Sequence, residues 1–299
     1  MERNSSHKKW MHAVALCELF AWLEDEVIHN TKNNINNRKK SELDTISMSP
    51  NSSKSSPSSS PSSNSTAMIS GQSHQQLRRK QKDYVGPSFA TIAGSGPNSA
   101  VIHYRSTEET NRPITCDEMF LLDCGAQYRD GTTDVTRTIH LGTPSAFEKE
   151  CFTRVVKGHI SLAKTFFPRL TKGQFLDSYA RRSLWEVGLD YNHGTGHGVG
   201  MYLNVHESPI GISNRINVDD TGLEENMILS NEPGYYEPNK FGIRIESLIV
   251  TKKENLKIEW INKYHETCFE IVGKELDKQG LSRALRWLRN ETMPLTKED

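Results

Sequence analysis

No run of apolar residues in this 299-residue chain approaches the roughly 20 needed to span a bilayer. The basic start MERNSSHKKWMH has no apolar run of signal-peptide length behind it. The expectation is a soluble, cytoplasmic protein without a membrane partner. Net charge is missing too: 37 Lys and Arg balance 37 Asp and Glu, which offers nucleic acid nothing to attract. The five cysteines, Cys17, Cys116, Cys124, Cys151 and Cys268, are odd in number and form no C-x-x-C pair. Neither a disulfide framework nor a zinc ribbon is signalled. The glycine-rich run HGTGHGVG lacks the Lys-Ser/Thr of a phosphate-binding loop, and no solenoid period is visible.

What the chain does have is periodicity, interrupted by one odd stretch. Ala13, Leu16, Phe20, Leu23 and Val27 recur at three- and four-residue steps, predicting an amphipathic helix over about residues 9–30. Met11, Phe20 and Trp22 are read as core, not as a cofactor box. From Asn30 to Ser70 Asn, Ser and Pro dominate, and NSSKSSPSSSPSSNS holds ten serines in fifteen positions. Such a segment buries too little apolar surface to offset its ordering entropy, so about 31–70 is expected to be a disordered insertion. A short basic helix at HQQLRRKQKDY and strand-like runs at SFATIAG and AVIHYRS then lead to MFLLDCG, predicted as a buried strand. A helix is expected from about Thr143 to Phe167, with Thr143 as N-cap candidate and Ser145-x-x-Glu148 as a capping box. Another runs from Gln174 to Val187, with Gly188 as a left-handed cap. Glu259 to Trp287 reads as two helices parted by Gly280.

Set into these segments are Asp123, Asp134, His197, Glu232 and Glu246, each beside glycine, proline or a turn. Four carboxylates and one imidazole make an oxygen-rich donor set. It suits a pair of ions such as Mn²⁺ better than a thiolate cage would, and it points to a metallopeptidase. Asp130-Gly131 is a hairpin signal, with TDVTRTIHL as return strand. An ideal two-residue turn there pairs residue 134 with 127, on the face of Asp123 but roughly 13 Å from it along the strand. Sharing an ion therefore requires a bulge or a shifted register, for which Gly125 is a place. HGTGHGVG is too glycine-rich for helix, so His193 and His197 are expected on extended or irregular backbone. In GIRIES, alternation puts Ile243 and Ile245 on one face and Arg244 and Glu246 on the other.

The motifs GPNSAVIHY, LLDCGAQYRDGTTDVTRTIH, YNHGTGHGVGMYLNVHE, ILSNEPGYY and FGIRIES together closely resemble the catalytic domain of the aminopeptidase P family, the cytosolic Xaa-Pro aminopeptidases. The resemblance covers about residues 9–250 apart from the Ser-rich stretch, and it returns in the C-terminal helices. It implies an α+β pita-bread fold, a curved antiparallel sheet flanked by helices, with residues 1–8 as a tail and 251–299 as C-terminal helices. It implies two Mn²⁺ ions, with Co²⁺ or Zn²⁺ as substitutes. Asp123 would sit on one ion, His197 and Glu232 on the other, and Asp134 and Glu246 between them. The implied reaction is hydrolysis of the N-terminal Xaa-Pro bond of peptides with proline second, by a hydroxide bridging the ions.

By the same resemblance Glu232 is the general base, and His103 and His206 stabilise the tetrahedral intermediate and the proline nitrogen. His103, His193 and His206 bind substrate, and Arg244 holds Asp134 or Glu246 in place. A homodimer is left open. The two creatinase-like domains that precede the catalytic domain in long-form relatives are not in this sequence, and Asn231 stands where close relatives carry Asp. The alternatives on the same fold are a prolidase, a methionine aminopeptidase, or a catalytically impaired module that binds peptide or protein partners.

Overall fold

The computed structural model describes residues 11–28, 67–252 and 260–293. Helix α1 (residues 11–28) carries Leu16, Leu19, Phe20, Leu23 and Val27 on one buried stripe. Each such side chain contributes about 1.5–3 kcal/mol when buried, against differences of about 0.7 kcal/mol in helix propensity, so packing decides that this segment is helical. The chain resumes in α2 (Ala67–Arg79), which takes up residues 67–70 at the end of the stretch expected to be disordered. The rest of that stretch lies outside the described residues.

Strands β1 (Tyr84–Pro87) and β2 (Ile92–Ser95) follow. The run AVIHYRS is not a strand. Pro97 starts a 3-10 turn over Gly96–Ala100, closed by Ser99 Oγ donating to the Gly96 carbonyl at 2.6 Å, and the chain leaves it in turns. Gly96 sits at φ +53°, a conformation that side chains disfavour. Next come β3 (Met119–Cys124), β4 (Ala126–Tyr128), β5 (Gly131–Thr132) and β6 (Val135–His140).

Helix α3 (Ala146–Ala163) begins at Ser145, not Thr143, because the Ser145–Glu148 capping box forms in both directions. It ends well before Pro168. A 3-10 turn at Gly173–Phe175 precedes α4 (Asp177–Trp185), whose end is turned by Gly188 at φ +73°. After β7 (Gly196–Gly198), β8 (Glu207–Ile212), β9 (Ile228–Asn231), β10 (Gly234–Glu237), β11 (Phe241–Arg244) and β12 (Ser247–Val250), the described chain closes with α5 (Trp260–Lys278) and α6 (Ser282–Glu291). Gly280 parts those two helices at φ +72°, as expected.

The strands form antiparallel sheets in the orders β2-β3-β6, β1-β4-β5, β12-β9-β7-β8 and β10-β11. Every residue of β3 is buried. Phe120, Leu122 and Cys124 pack against α1, while Met119 and Leu121 face the other way, toward clusters that include Ile243 of β11 and Tyr104. On its other side α1 meets α5 and α6 through Val14, Cys17, Val272, Leu276 and Leu288. Helices α3 and α4 pack on the β12-β9-β7-β8 and β10-β11 sheets through Val155, Leu162, Ala180 and Leu184, while Met11 of α1 meets Ala126 and Tyr128 of the β1-β4-β5 sheet. The mixture of helices with antiparallel sheets is the expected α+β class.

Candidate metal centre

Two strands bring the first pair of aspartates together by a register that differs from the ideal hairpin. Tyr128 pairs with Gly131, Gln127 with Thr132, Cys124 with Val135 and Asp123 with Thr136. The turn residues are thus Arg129 and Asp130, one position earlier than Asp130-Gly131. This register sets Asp134 across from Gly125, two residues from Asp123 and on its face. A shifted register, without an extra residue, replaces the bulge. Gly125 still matters, since a Cβ there would strike Ser88 Oγ and the Thr133 carbonyl.

Glu246 joins the pair from just beyond β11. It bridges Thr136, its amide donates to the Thr136 carbonyl at 3.1 Å, and Thr136 Oγ1 donates to Glu246 Oε2 at 2.6 Å. His197 lies on β7, on the extended backbone expected. Its Nδ1 is 2.9 Å from the Gly198 carbonyl, so we assign the proton to Nδ1. That leaves Nε2, as acceptor, 3.4 Å from both Asp134 Oδ2 and Glu232 Oε1. Glu232 follows β9, its Oε1 accepts from Ser230 Oγ at 2.9 Å, and its amide donates to the Thr195 carbonyl at 2.8 Å. Asp134, His197 and Glu246 each present a donor atom within 4.8 Å of the others.

Arg244 is buried at the centre of this arrangement, 2% exposed. Its Nη2 donates to Asp123 Oδ2 at 2.7 Å, its Nε to Thr136 Oγ1 at 3.2 Å, and its Nη1 to the Tyr236 hydroxyl at 2.7 Å. The expected partner, Asp134 or Glu246, is therefore corrected to Asp123. Residue 244 shares a face with 246, but the β3–β6 register brings Asp123, not its neighbours, under the guanidinium. Tyr236 lies 2.9 Å from His193 Nε2, and His193 Nδ1 lies 2.8 Å from the Gly194 carbonyl. Both nitrogens of His193 are thus engaged within the chain. Burial, then the charge of Arg244, holds its pKa down to about 3. His206 is exposed, its ring 4.3 Å from that of His197, and His103 is exposed as well. Burial, then His197 and His103, lowers the pKa of His206. The charge of His103 acts on both His193 and His206.

The electrostatics ask for a cation. Asp134 is raised well above the usual carboxylate range by burial and by the charges of Asp123 and Glu232. Glu246 is raised by burial and by Asp134, Glu232 and Asp123, and burial also raises Glu232. Asp123 Oδ1 is buried without a hydrogen-bond partner. Crowded buried carboxylates, an orphaned oxygen and an imidazole lone pair suit divalent metal ions, which would relieve the repulsion and use the free donors.

Several supporting residues escaped sequence reasoning. Arg181 of α4, 1% exposed, donates to Asp177 at 2.6 Å, to the Tyr191 carbonyl at 2.6 Å and to the His193 carbonyl at 2.7 Å. Asp177 accepts from Thr195 Oγ1 at 2.5 Å, and the Thr195 carbonyl holds the Glu232 amide. The four-residue spacing of Asp177 and Arg181 was the only signal for this buttress. Thr136 and Tyr236 lay inside the motifs VTRT and PGYY, without any charge to mark them.

Comparison with known proteins gives the family. The model of metallopeptidase family M24 matches residues 13–253, and that of the C-terminal region of peptidase M24 matches residues 247–295. The Drosophila melanogaster Xaa-Pro aminopeptidase ApepP is 41% identical over 94% of this chain and 46% of that protein. Aminopeptidase P2 of Arabidopsis thaliana is 40% identical over 95% of this chain and 40% of its own length. The chain spans about half the length, or less, of these curated relatives. The crystal structure of the Caenorhabditis elegans X-prolyl aminopeptidase, described as a cytosolic enzyme with a di-nuclear active site, superposes with a TM-score of 0.77 at 33% identity. It covers 97% of this chain and 48% of that one. The Pyrococcus furiosus prolidase gives a TM-score of 0.57 at 29% identity, covering 65% of this chain and 55% of that one. The chain belongs to metallopeptidase family M24.

Proposed function

We propose that this chain hydrolyses the bond between an N-terminal residue and a following proline, using two divalent ions, Mn²⁺ first among them. The observation that carries the proposal is the approach of His197 Nε2 to two acidic groups, Asp134 and Glu232, at 3.4 Å each, with Glu246 beside them. The names of the relatives, Xaa-Pro and X-prolyl aminopeptidase, supply the substrate class. The description of the nematode enzyme supports a cytosolic setting and two ions. Among the described residues no helix is long and apolar enough to cross a membrane.

Asp123, Asp134, His197, Glu232 and Glu246 would hold the ions, with Asp134 and Glu246 serving both. When bound, the ions supply the positive charge that makes water nucleophilic at neutral pH and draws electrons from the scissile carbonyl. The chain's own groups do the rest. Glu232, whose burial favours the protonated form, takes the proton of the attacking water and passes it to the leaving proline nitrogen. That nitrogen is tertiary and carries no hydrogen before cleavage, so a proton must be delivered to it. His206, exposed beside His197, and His103, also exposed, bind substrate and donate to the oxyanion. His193 acts through Tyr236, whose hydroxyl it shares with Arg244, keeping the guanidinium on Asp123.

The test is metal analysis joined to peptide hydrolysis. The purified chain should bind about two Mn²⁺ ions and cleave Xaa-Pro-Xaa peptides, and Asp134→Ala or Glu246→Ala should cost both Mn²⁺ ions. One Mn²⁺ ion or none in a folded, Mn²⁺-loaded preparation would overturn the dinuclear assignment.

A further inference from the structure

Neighbouring residues of β3 point to opposite faces, and the two faces carry different chemistry. Asp123 belongs to the carboxylate centre. Cys124 lies on the side of Phe120 and Leu122, beneath α1. There it meets His12 of α1 and His74 of α2, and the three side chains offer donor atoms all within 4.8 Å of one another. All three are buried, with Cys124 and His74 at 0% exposure and His12 at 1%.

Three features separate this cluster from ordinary packing. Neither ring nitrogen of His74 has a hydrogen-bond partner. An unpaired polar group in a core costs about 1–3 kcal/mol, and the edge contact of His74 with the His12 ring, centroids 5.4 Å apart, leaves both nitrogens unpaired. His12 Nδ1 lies 2.9 Å from Thr133 Oγ1, whose own proton reaches the Ala126 carbonyl at 3.3 Å. With that proton given to Ala126, Nδ1 donates to the hydroxyl and the lone pair of Nε2 faces Cys124. Metal-ligating histidines are oriented by such a bond to the second nitrogen. Finally, Cys124 Sγ lies 3.6 Å from His12 Nε2. A tetrahedral ion about 2.3 Å from sulfur and about 2.0–2.1 Å from nitrogen sets those atoms about 3.5 Å apart.

We propose that His12, His74 and Cys124 form a three-ligand site for a transition ion of the zinc class, distinct from the carboxylate centre on the other face of β3. Two imidazoles and a thiolate are the donors that such borderline ions prefer over Mn²⁺. On binding, the Cys124 S–H bond breaks, its proton leaves to solvent, and a sulfur–metal bond forms with no change of oxidation state. Arg78, one turn after His74, opposes a dication, but its guanidinium is directed to the Gly125 carbonyl and to Thr91. The ion would pin α1 and α2, which flank residues 29–66, to the strand that carries Asp123.

The probe is Co²⁺, loaded into the full chain. Thiolate coordination gives a near-ultraviolet sulfur-to-cobalt absorption that the carboxylate and imidazole donors of the other centre cannot produce. The wild-type chain should show the band. Cys124→Ser should lose it together with one bound ion per chain, and Asp134→Asn should keep it. His74→Gln, which retains bulk, should show the same loss and serves where Cys124→Ser does not fold. A folded, cobalt-loaded wild-type chain without the band overturns the proposal, as does a band that survives both ligand substitutions.

Discussion

Arg244 Nη2 donates to Asp123 Oδ2 at 2.7 Å, with both side chains largely withdrawn from solvent, 2% and 12% exposed. One oxygen of Asp123 is thereby committed, while Oδ1 has no hydrogen-bond partner. The same guanidinium touches Thr136 and Tyr236, and Thr136 holds Glu246. A single buried cation therefore ties β3, β6, β10 and β11 together around the carboxylates. It also offsets part of their mutual repulsion, since its charge lowers the pKa values of Asp134, Glu232 and Glu246.

Arg244→Lys should keep the charge and lose the fork. A lysine ammonium cannot reach Asp123, Thr136 and Tyr236 at once. Metal affinity and kcat/KM on an Xaa-Pro peptide should both fall by about 10- to 100-fold, as expected for loss of a group that orients a ligand. Metal titration of the variant is the decisive measurement. Unchanged affinity would show that Asp123 needs no such support.

Gly125→Ala should destabilise the chain by about 1–3 kcal/mol, the usual effect of overpacking. The new methyl would meet Ser88 Oγ, the Thr133 carbonyl and the Phe89 ring. Because Gly125 is the residue opposite Asp134 and lies two positions from Asp123, the strain falls on the metal centre as well. Urea unfolding of metal-free protein should give a lower midpoint, and metal affinity should drop in parallel. A variant as stable as wild type would mean that the hairpin relaxes without resistance.

Much of this centre was legible because its chemistry needs charged side chains beside turns, and those leave a mark in a sequence. Asp123, Asp134, His197, Glu232 and Glu246 stood out in that way, and alternation in GIRIES correctly put Arg244 and Glu246 on one face. The hairpin was legible only in parity. Moving the turn by one residue changes the pairing sum by two, which keeps Asp134 on the face of Asp123 while closing the gap between them. Local turn preference could not choose between Asp130-Gly131 and Arg129-Asp130, because pairing along β3 and β6 decides it. AVIHYRS failed for a similar reason: its apolar alternation suggested a strand, yet Pro97 and the Ser99 hydroxyl commit the preceding residues to a 3-10 turn. His12 and His74 were invisible, since their meeting with Cys124 depends on how two helices dock.

His206→Ala should leave metal content intact and lower kcat by about 100-fold or more, with the loss expressed equally in kcat/KM. The ring stands beside His197 but makes no contact with the carboxylates of the centre in the structure's hydrogen bonds, so its removal spares the donor set. Burial and two neighbouring histidines depress its pKa, so near neutral pH it is largely uncharged and can both accept and donate a hydrogen bond. A full-speed variant with normal metal content would take His206 out of the mechanism.

His159 offers a stability measurement that needs neither metal nor substrate. Burial, with the charge of Arg137 second, holds its pKa down to about 4 in the folded chain, against about 6.5 when unfolded. Between those values the unfolded chain binds the extra proton, so stability is full above about pH 6.5 and is lost as pH falls toward 4. His12 and His74, lowered well below their usual value by burial, act in the same direction. The raised carboxylates Asp134 and Glu246 act in the opposite one, because protonation suits their folded environment. The net slope is therefore a poor gauge of any single group, and a paired comparison isolates His159. In metal-free protein, the unfolding free energy of His159→Gln should fall less steeply than that of wild type between pH 6.5 and 4, by up to about 1.4 kcal/mol per pH unit. Parallel curves would mean that His159 takes up its proton without unfolding, and that its burial is less complete than its place on α3 beneath Asn231 implies.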